Sequence, residues 1–250
     1  MGKRTAPSKT RRAAGPARWL AVLACAGFLI VVIKNAWVCD DAYIVFRSIE
    51  QLFAGNGPVW NPHERVEAFT SPLWFWLLSI PRIVSHDVYL NAIVVSVVLV
   101  VLALVLIRRA LRDDAMFALA VLLLVCCNGF MDFTTAGLEN PLAYLLIAFY
   151  LLQYTRLFRG EKTGRPLLLP RLALAFGLAL VTRHDLLLLL LPSFVQAILA
   201  NRSGLRGRGW ASLALLALGP LAAWSSFALV YYGSLFPNPA LAKLNTGIAH

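Results

Sequence analysis

Residues 71–84 read SPLWFWLLSIPRIV, and whether this run crosses a membrane decides the course of everything after it. It is apolar but only 14 residues long, short of the roughly 20 that a spanning helix needs. Prolines stand near both its ends (Pro72 and Pro81), and it carries Trp74 and Trp76. Tryptophan collects at the membrane–water boundary, so the run reads as a helix lying at the interface or re-entering it. Longer apolar runs surround it, at about 19–36, 89–107, 115–132, 140–155, 167–181, 186–200 and 210–232. Charge tests the choice. With the N-terminus inside and 71–84 not crossing, 17 of the 23 Lys and Arg residues fall on the inner side and 6 on the outer. If the run crosses, the split becomes 9 against 14. Inner loops of membrane proteins are the basic ones, so the chain has seven spans and a long outer loop at about 37–88.

Composition agrees. Of the 250 residues 60% are hydrophobic and 14% charged, and the mean hydropathy is +0.72. A water-soluble domain is nearer half apolar and a quarter charged. The expected fold class is therefore an all-α polytopic membrane protein, with the bilayer as its first partner. The net charge of +11 raises nucleic acid as a partner. The basic residues, however, sit in short clusters between apolar runs, the pattern of inner loops, and nucleic acid is set aside. Cys25, Cys39, Cys126 and Cys127 have no metal-ligand spacing and read as small hydrophobes. MGKRTAPSKTRRAAGPAR, residues 1–18, is a basic cytoplasmic tail before an uncleaved first helix, and residues 19–250 form one membrane module.

Nine of the twelve acids fall on the outer side under this topology, and the unusual polar segments fall there with them. VCDDAY, 38–43, follows the first span. Asp40 reads as the N-cap of an amphipathic helix ending near Gly55, with Asp41 favoured by the helix dipole. The alternative is a general base in one carboxylate, with the other orienting it or a metal; burial or a like charge would raise its pKa toward that task. NPHERVEAFTSPLW, 61–74, puts His63, Glu64, Arg65 and Glu67 in one loop. It reads either as a solvated loop or as a site in which Arg65 binds an anionic group, or His63 or Glu67 supplies a metal ligand. It lacks the H-E-x-x-H pattern of a zinc protease. Glu139 in TAGLENP stands at a helix start, where an acid suits the dipole. VTRHDLLL, 181–188, sets Arg183, His184 and Asp185 between apolar runs. Charges at membrane depth are costly, so this is a site or a paired hairpin turn. A guanidinium grips phosphate oxygens in pairs, which makes Arg183 the leading phosphate ligand, with Lys243 in SLFPNPALAK a second.

DDAYIVFRS with GNGPVWNPHERVEAFTSPLW, TAGLENPL, VTRHDLLL and SLFPNPALAK, in that order, resemble the GT-C membrane glycosyltransferases. More closely they resemble the family of the mycobacterial terminal β-(1→2)-arabinofuranosyltransferase, a pattern shared by a bacterial flagellar-motor-control family. The resemblance covers about 38–250. It implies a GT-C-like module in the bacterial inner membrane, its active face outside, that moves a sugar with inversion. The donor would be a polyprenyl-phosphate-linked sugar and the acceptor an envelope glycan. One of Asp40 and Asp41 would deprotonate the acceptor hydroxyl. The other, Asp41 first, would hold a divalent cation (Mg, Mn or Ca) or position the base. Arg183, His184, Arg65 and Lys243 would meet the donor phosphate, with Glu67, Glu139, Asp185 and Asn238 in support. Family members are about twice this length, which implies a missing C-terminal part with further spans and a soluble domain. A non-enzymatic component of flagellar motor or envelope assembly is the rival expectation. An anion transporter is a weaker one, since its ionisable groups belong at the midplane.

Overall fold

A computed structural model describes residues 15–161 and 164–245, the side chains of Arg165 and of 243–245 excepted. Residues 1–14 of the basic tail lie outside it. The regular elements among the described residues are helices, with no strand. In order they are α1 (Pro16–Lys34), α2 (Ala42–Phe53), α3 (Pro72–Arg82), α4 (Val88–Leu111), α5 (Asp114–Val125), α6 (Asn128–Phe133), α7 (Asn140–Phe158), α8 (Arg165–Thr182), α9 (Leu186–Asn201), α10 (Gly207–Tyr232) and α11 (Asn238–Asn245). A 3-10 turn, Arg202–Gly204, follows α9. By length and composition Pro16–Lys34, Val88–Leu111, Asn140–Phe158, Leu186–Gly204 and Gly207–Tyr232 are fit to cross a membrane, while Asp114–Val125 and Pro166–Thr182 are shorter apolar helices. The chain is an all-α polytopic membrane protein.

The seven expected spans are all helical, but 115–132 is not one helix. It breaks at Cys126–Cys127, where Cys127 is extended (φ −91°, ψ 99°). Cys, Cys, Asn and Gly in a row hold a helix poorly. The break turns α6 aside and delivers residues 134–139 to the bundle end where α2 begins. Run 71–84 forms α3, which at 11 residues rises only about 16 Å. Trp74, Phe75 and Leu78 are buried beneath it, whereas Trp76, Ile80 and Val84 stay exposed. One flank thus packs on protein while the other is left apolar and open, as an interfacial helix requires.

Packing explains the rest. The apolar residues Ala42, Val45, Phe46 and Ile49 of α2 recur at helical spacing, which buries one face and leaves Tyr43, Arg47 and Glu50 outside. The main core joins α2, α3, α4, α7, α8, α9 and α10. A second core joins α1 to α4 and α5 through Phe28, Val32, Val100, Leu104, Phe117 and Val121. Helices α8 and α10 approach closely at Gly177, where a Cβ would stand 2.5 Å from the Leu216 carbonyl oxygen. At one end of the bundle Arg108 pairs with Asp114, Arg112 with Glu161, and Arg156 with Glu161 at 2.8 Å. Arg159 donates there to the Ala110 carbonyl at 2.7 Å, tying the turn after α4 to the turn after α7. The polar segments singled out from the sequence gather at the other end.

Candidate active site

Between α1 and α2 the chain is held extended against the 134–137 loop. The backbone N–H of Cys39 donates to the Ala136 carbonyl at 3.0 Å, and that of Trp37 to Thr135 Oγ1 at 3.3 Å. The Trp37 indole N–H reaches the Asp132 carbonyl at 3.0 Å. From α3 the buried Trp74 indole N–H donates to the Gly137 carbonyl at 2.9 Å. Gly137 has φ +79°, and a Cβ there would lie 2.7 Å from Ala42 Cβ and 2.8 Å from Val38 Cγ1. Only glycine fits that left-handed, crowded position. Two distant segments, 132–137 and Trp74 of α3 behind it, therefore pin the first turn of α2, and with it Asp40 and Asp41.

Both aspartates are exposed. Asp41 occupies the N-cap position of α2, but its backbone is already helical (φ −60°, ψ −28°) and its side chain makes no capping bond. Asp40 Oδ1 instead accepts from the Asp41 backbone N–H at 3.0 Å. The expectation of Asp40 as the cap is thus corrected: the cap position falls on Asp41, and the Asp40 carboxylate is taken up by the adjacent N–H rather than by one in the first turn. No other side-chain bond of either carboxylate is seen among the described residues. Acids elsewhere do cap: Asp87 accepts from Leu90 N–H at 2.9 Å and Asp113 from Met116 N–H at 2.8 Å.

The same loop reaches Arg183. This residue ends α8 in an extended conformation. Its guanidinium donates to Asn140 Oδ1 at 2.7 Å and to both oxygens of Asp185 at 3.1 and 2.8 Å. Glu139 Oε1 stands 3.5 Å away. The Arg183 hydrogen bond holds the Asp185 carboxyl below the usual range, whereas burial pushes that of Glu139 up. Arg183 is therefore a clasp between the start of α7 and the α8–α9 turn, its paired donors already taken up by a carboxylate. His184 is exposed beside it.

A second cluster ties the 58–71 loop to α10. Asn238 N–H donates to the Glu67 carbonyl at 2.9 Å, and the Tyr232 hydroxyl to the Pro58 carbonyl at 2.7 Å. Arg65 is exposed and lies 5.0 Å from the Tyr231 ring centre. The Glu67 side chain is only 4% exposed. Its Oε1 accepts from the Trp224 indole at 3.2 Å and its Oε2 has no partner. Burial without a cation pushes this carboxyl up to about 7. A cleft of about 270 Å³, lined by Ile44, Trp60, Glu64, Val66, Asn238 and their neighbours, opens between this loop, α2 and α11. The side chain of Lys243 lies outside the described residues.

The structure thus joins Asp40–Asp41, Glu139, Asn140, Arg183 and Asp185 through one buried loop, and Arg65, Glu67 and Asn238 through another. Sequence reading missed Trp37, Gly137 and Trp224 and took Trp74 for a boundary residue, whereas it is buried; all four hold these loops in place. The single Gly between two polar stretches at 137 was the available signal. Among the described residues no group of three or more His, Cys, Asp or Glu side chains is placed to hold a metal ion. Asp40 and Asp41 would give a divalent cation one or two carboxylates, a number that water and a substrate phosphate ordinarily complete around magnesium.

No protein-family model matches the chain, and no solved structure matches it. Two curated proteins are similar to it. The terminal β-(1→2)-arabinofuranosyltransferase of Mycobacterium tuberculosis is 32% identical over 226 residues, 84% of this chain and 35% of that protein. The terminal β-(1→2)-arabinofuranosyltransferase of Corynebacterium glutamicum is 31% identical over 230 residues, 83% of this chain and 33% of that protein. The chain spans about a third of the length of these relatives, not the half expected. Over more than four-fifths of its own length, this membrane protein is a homologue of part of the terminal β-(1→2)-arabinofuranosyltransferases, the glycosyltransferases its outer segments resemble.

Proposed function

We propose that the acid-bearing end of this bundle transfers a sugar, by analogy an arabinofuranosyl unit, from a polyprenyl phosphate to a glycan hydroxyl with inversion. The observation that carries the reading is the seating of Asp40–Asp41. Two exposed carboxylates are fixed by the buried 134–137 loop, at a bundle end that also holds an Arg183 cluster. In the reaction the acceptor oxygen attacks the anomeric carbon as the carbon–oxygen bond to the lipid phosphate breaks. The acceptor proton passes to Asp40 or Asp41, and the bonding pair leaves on the phosphate. A carboxylate beside the oxocarbenium-like transition state also stabilises it electrostatically. Arg183 serves first as a positioning residue; it meets donor phosphate by exchanging Asp185, which is the more exposed of its two acids. Arg65 and Lys243 are the further cations for that phosphate, and His184 a further hydrogen-bonding group.

The basic end of the bundle faces the cytoplasm in this reading, and the acid end the exterior of a bacterial inner membrane. The test is transfer from a polyprenyl-phosphate sugar to a glycan acceptor by the purified chain in lipid. Asp40→Asn and Asp41→Asn are expected to cut turnover by about 100-fold or more, the range of lost general-base catalysis, with unchanged expression and helicity. Full turnover in both variants overturns the assignment, and silence of both in a complementation assay turns it toward a non-enzymatic envelope or motor component.

A further inference from the structure

A second cleft, of about 510 Å³, opens on the exposed side of α2 against the start of α4. We propose that it is the acceptor subsite and that it binds a neutral oligosaccharide; the inference rests on the sugar-transfer reading above. Position is the first argument. Tyr43, on the cleft wall, lies in the same helical turn as the acidic pair, and its backbone N–H donates to the Asp40 carbonyl at 3.0 Å. A glycan lying in the cleft ends beside the carboxylates that would take its proton.

Chemistry is the second. The wall presents Tyr43, Trp60 and Tyr89, of which Tyr43 is 53% and Tyr89 40% exposed. A sugar ring offers a C–H face that packs on aromatic rings, and hydroxyls that want donors and acceptors together. The cleft has both. The hydroxyls of Tyr43 and Tyr89 have no partner among the described residues, and Asp87 uses only Oδ1 in its cap. Arg82 Nη1 lies 2.6 Å from His86 Nδ1. A guanidinium only donates, so Nδ1 accepts, and the ring proton sits on Nε2 as a further donor at the wall.

Charge is the third argument, and it selects a neutral ligand over an anionic one. Both Glu50 oxygens are held by Arg82, at 2.8 and 2.9 Å. Arg47 donates to the Trp60 carbonyl at 3.0 Å and to Asn61 Oδ1 at 3.1 Å, its guanidinium 4.6 Å from the Trp60 ring centre. Arg47, the arginine lining the cleft, is therefore engaged within the chain, and the Asp87 carboxylate on the same wall keeps its Oδ2 open, which repels an anionic ligand.

Calorimetric titration of the full chain in lipid nanodiscs with a synthetic arabinofuranosyl tetrasaccharide tests this. Wild type is expected to bind. Tyr43→Ala and Tyr89→Ala should each weaken binding about tenfold, the scale of one aromatic anchor, while Tyr89→Phe, which keeps the ring and loses only the hydroxyl, should weaken it less. Asp40→Asn should bind as wild type does. Equal binding by wild type and both alanine variants, or no binding by wild type at millimolar sugar, overturns the subsite. A tyrosine effect on nanodisc insertion without one on sugar affinity also overturns it and marks these rings as a membrane-interface belt. Tyrosine-dependent binding in a wild-type chain that transfers no sugar upholds the cleft and sinks the transferase reading alone.

Discussion

Among single residues Glu67 carries the sharpest consequence. A carboxyl buried with one oxygen unpartnered and no cation beside it is more stable protonated, and it titrates near 7. The folded pKa is raised above the unfolded one, so the proton's contribution to stability is fully present below about pH 4.5 and is lost as pH rises through about 7. That shift is worth on the order of 3 kcal/mol. Its effect falls on the bonds that tie the 58–71 loop to α10 and α11. Wild type should unfold at a lower temperature at pH 8 than at pH 5, while Glu67→Gln, neutral throughout, should lose most of this slope and exceed wild type at pH 8. Thermal melts of both proteins in one detergent decide it: equal slopes would mean that Glu67 is ionised in the fold. The sequence made Glu67 one of four polar residues in a loop. Its burial depends on Trp224, 157 positions away, which no local pattern reveals.

Elements were more legible than contacts. Apolar length announced the long helices, and the 3.6-residue recurrence of Ala42, Val45, Phe46 and Ile49 announced α2. The break inside 115–132 escaped because hydropathy counts Cys126 and Cys127 as apolar and is blind to their poor helix propensity. Helix approach was equally silent. Gly177 and Gly27 are both mid-helix glycines, but at Gly177 a Cβ meets the backbone of α10, with the Ala217 oxygen at 2.7 Å, whereas at Gly27 nothing lies within 4 Å. Small residues at such crossings let membrane helices pack backbone to backbone. Gly177→Ala should therefore destabilise by about 1–3 kcal/mol, the cost of overpacking. Gly27→Ala should be neutral or stabilise by up to about 1 kcal/mol, the helix-propensity gain over glycine. Unfolding of the two variants side by side checks the contrast, and equal effects would refute the close α8–α10 crossing.

At the scale of the whole molecule, charge was the most legible property. The count that kept 71–84 out of the membrane assigns 108–114 and 156–171 to one end and the acidic segments to the other. The ion pairs of Arg112 and Arg156 with Glu161, and the bonds from Cys39 to Ala136 and from Arg183 to Asn140, join residues within those same two groups. Of the acid–base pairs, Arg183 with Asp185 was legible because the two are neighbours in one turn, whereas Arg82 with Glu50 and Arg112 with Glu161 were not, because their partners arrive from different helices. The two-ended distribution makes orientation testable without any enzyme assay. Asn56, exposed after α2, lies at the acid end, and Arg208, exposed at the start of α10, at the basic end. In a variant lacking the four native cysteines, Asn56→Cys should react with a membrane-impermeant maleimide on intact cells. Arg208→Cys should react only after the membrane is opened. The opposite result would put the acidic end in the cytoplasm and remove the exterior site from the proposed reaction. Labelling of both on intact cells would show that 71–84 crosses after all, since one added crossing there exchanges the sides of every later loop while leaving Asn56 outside.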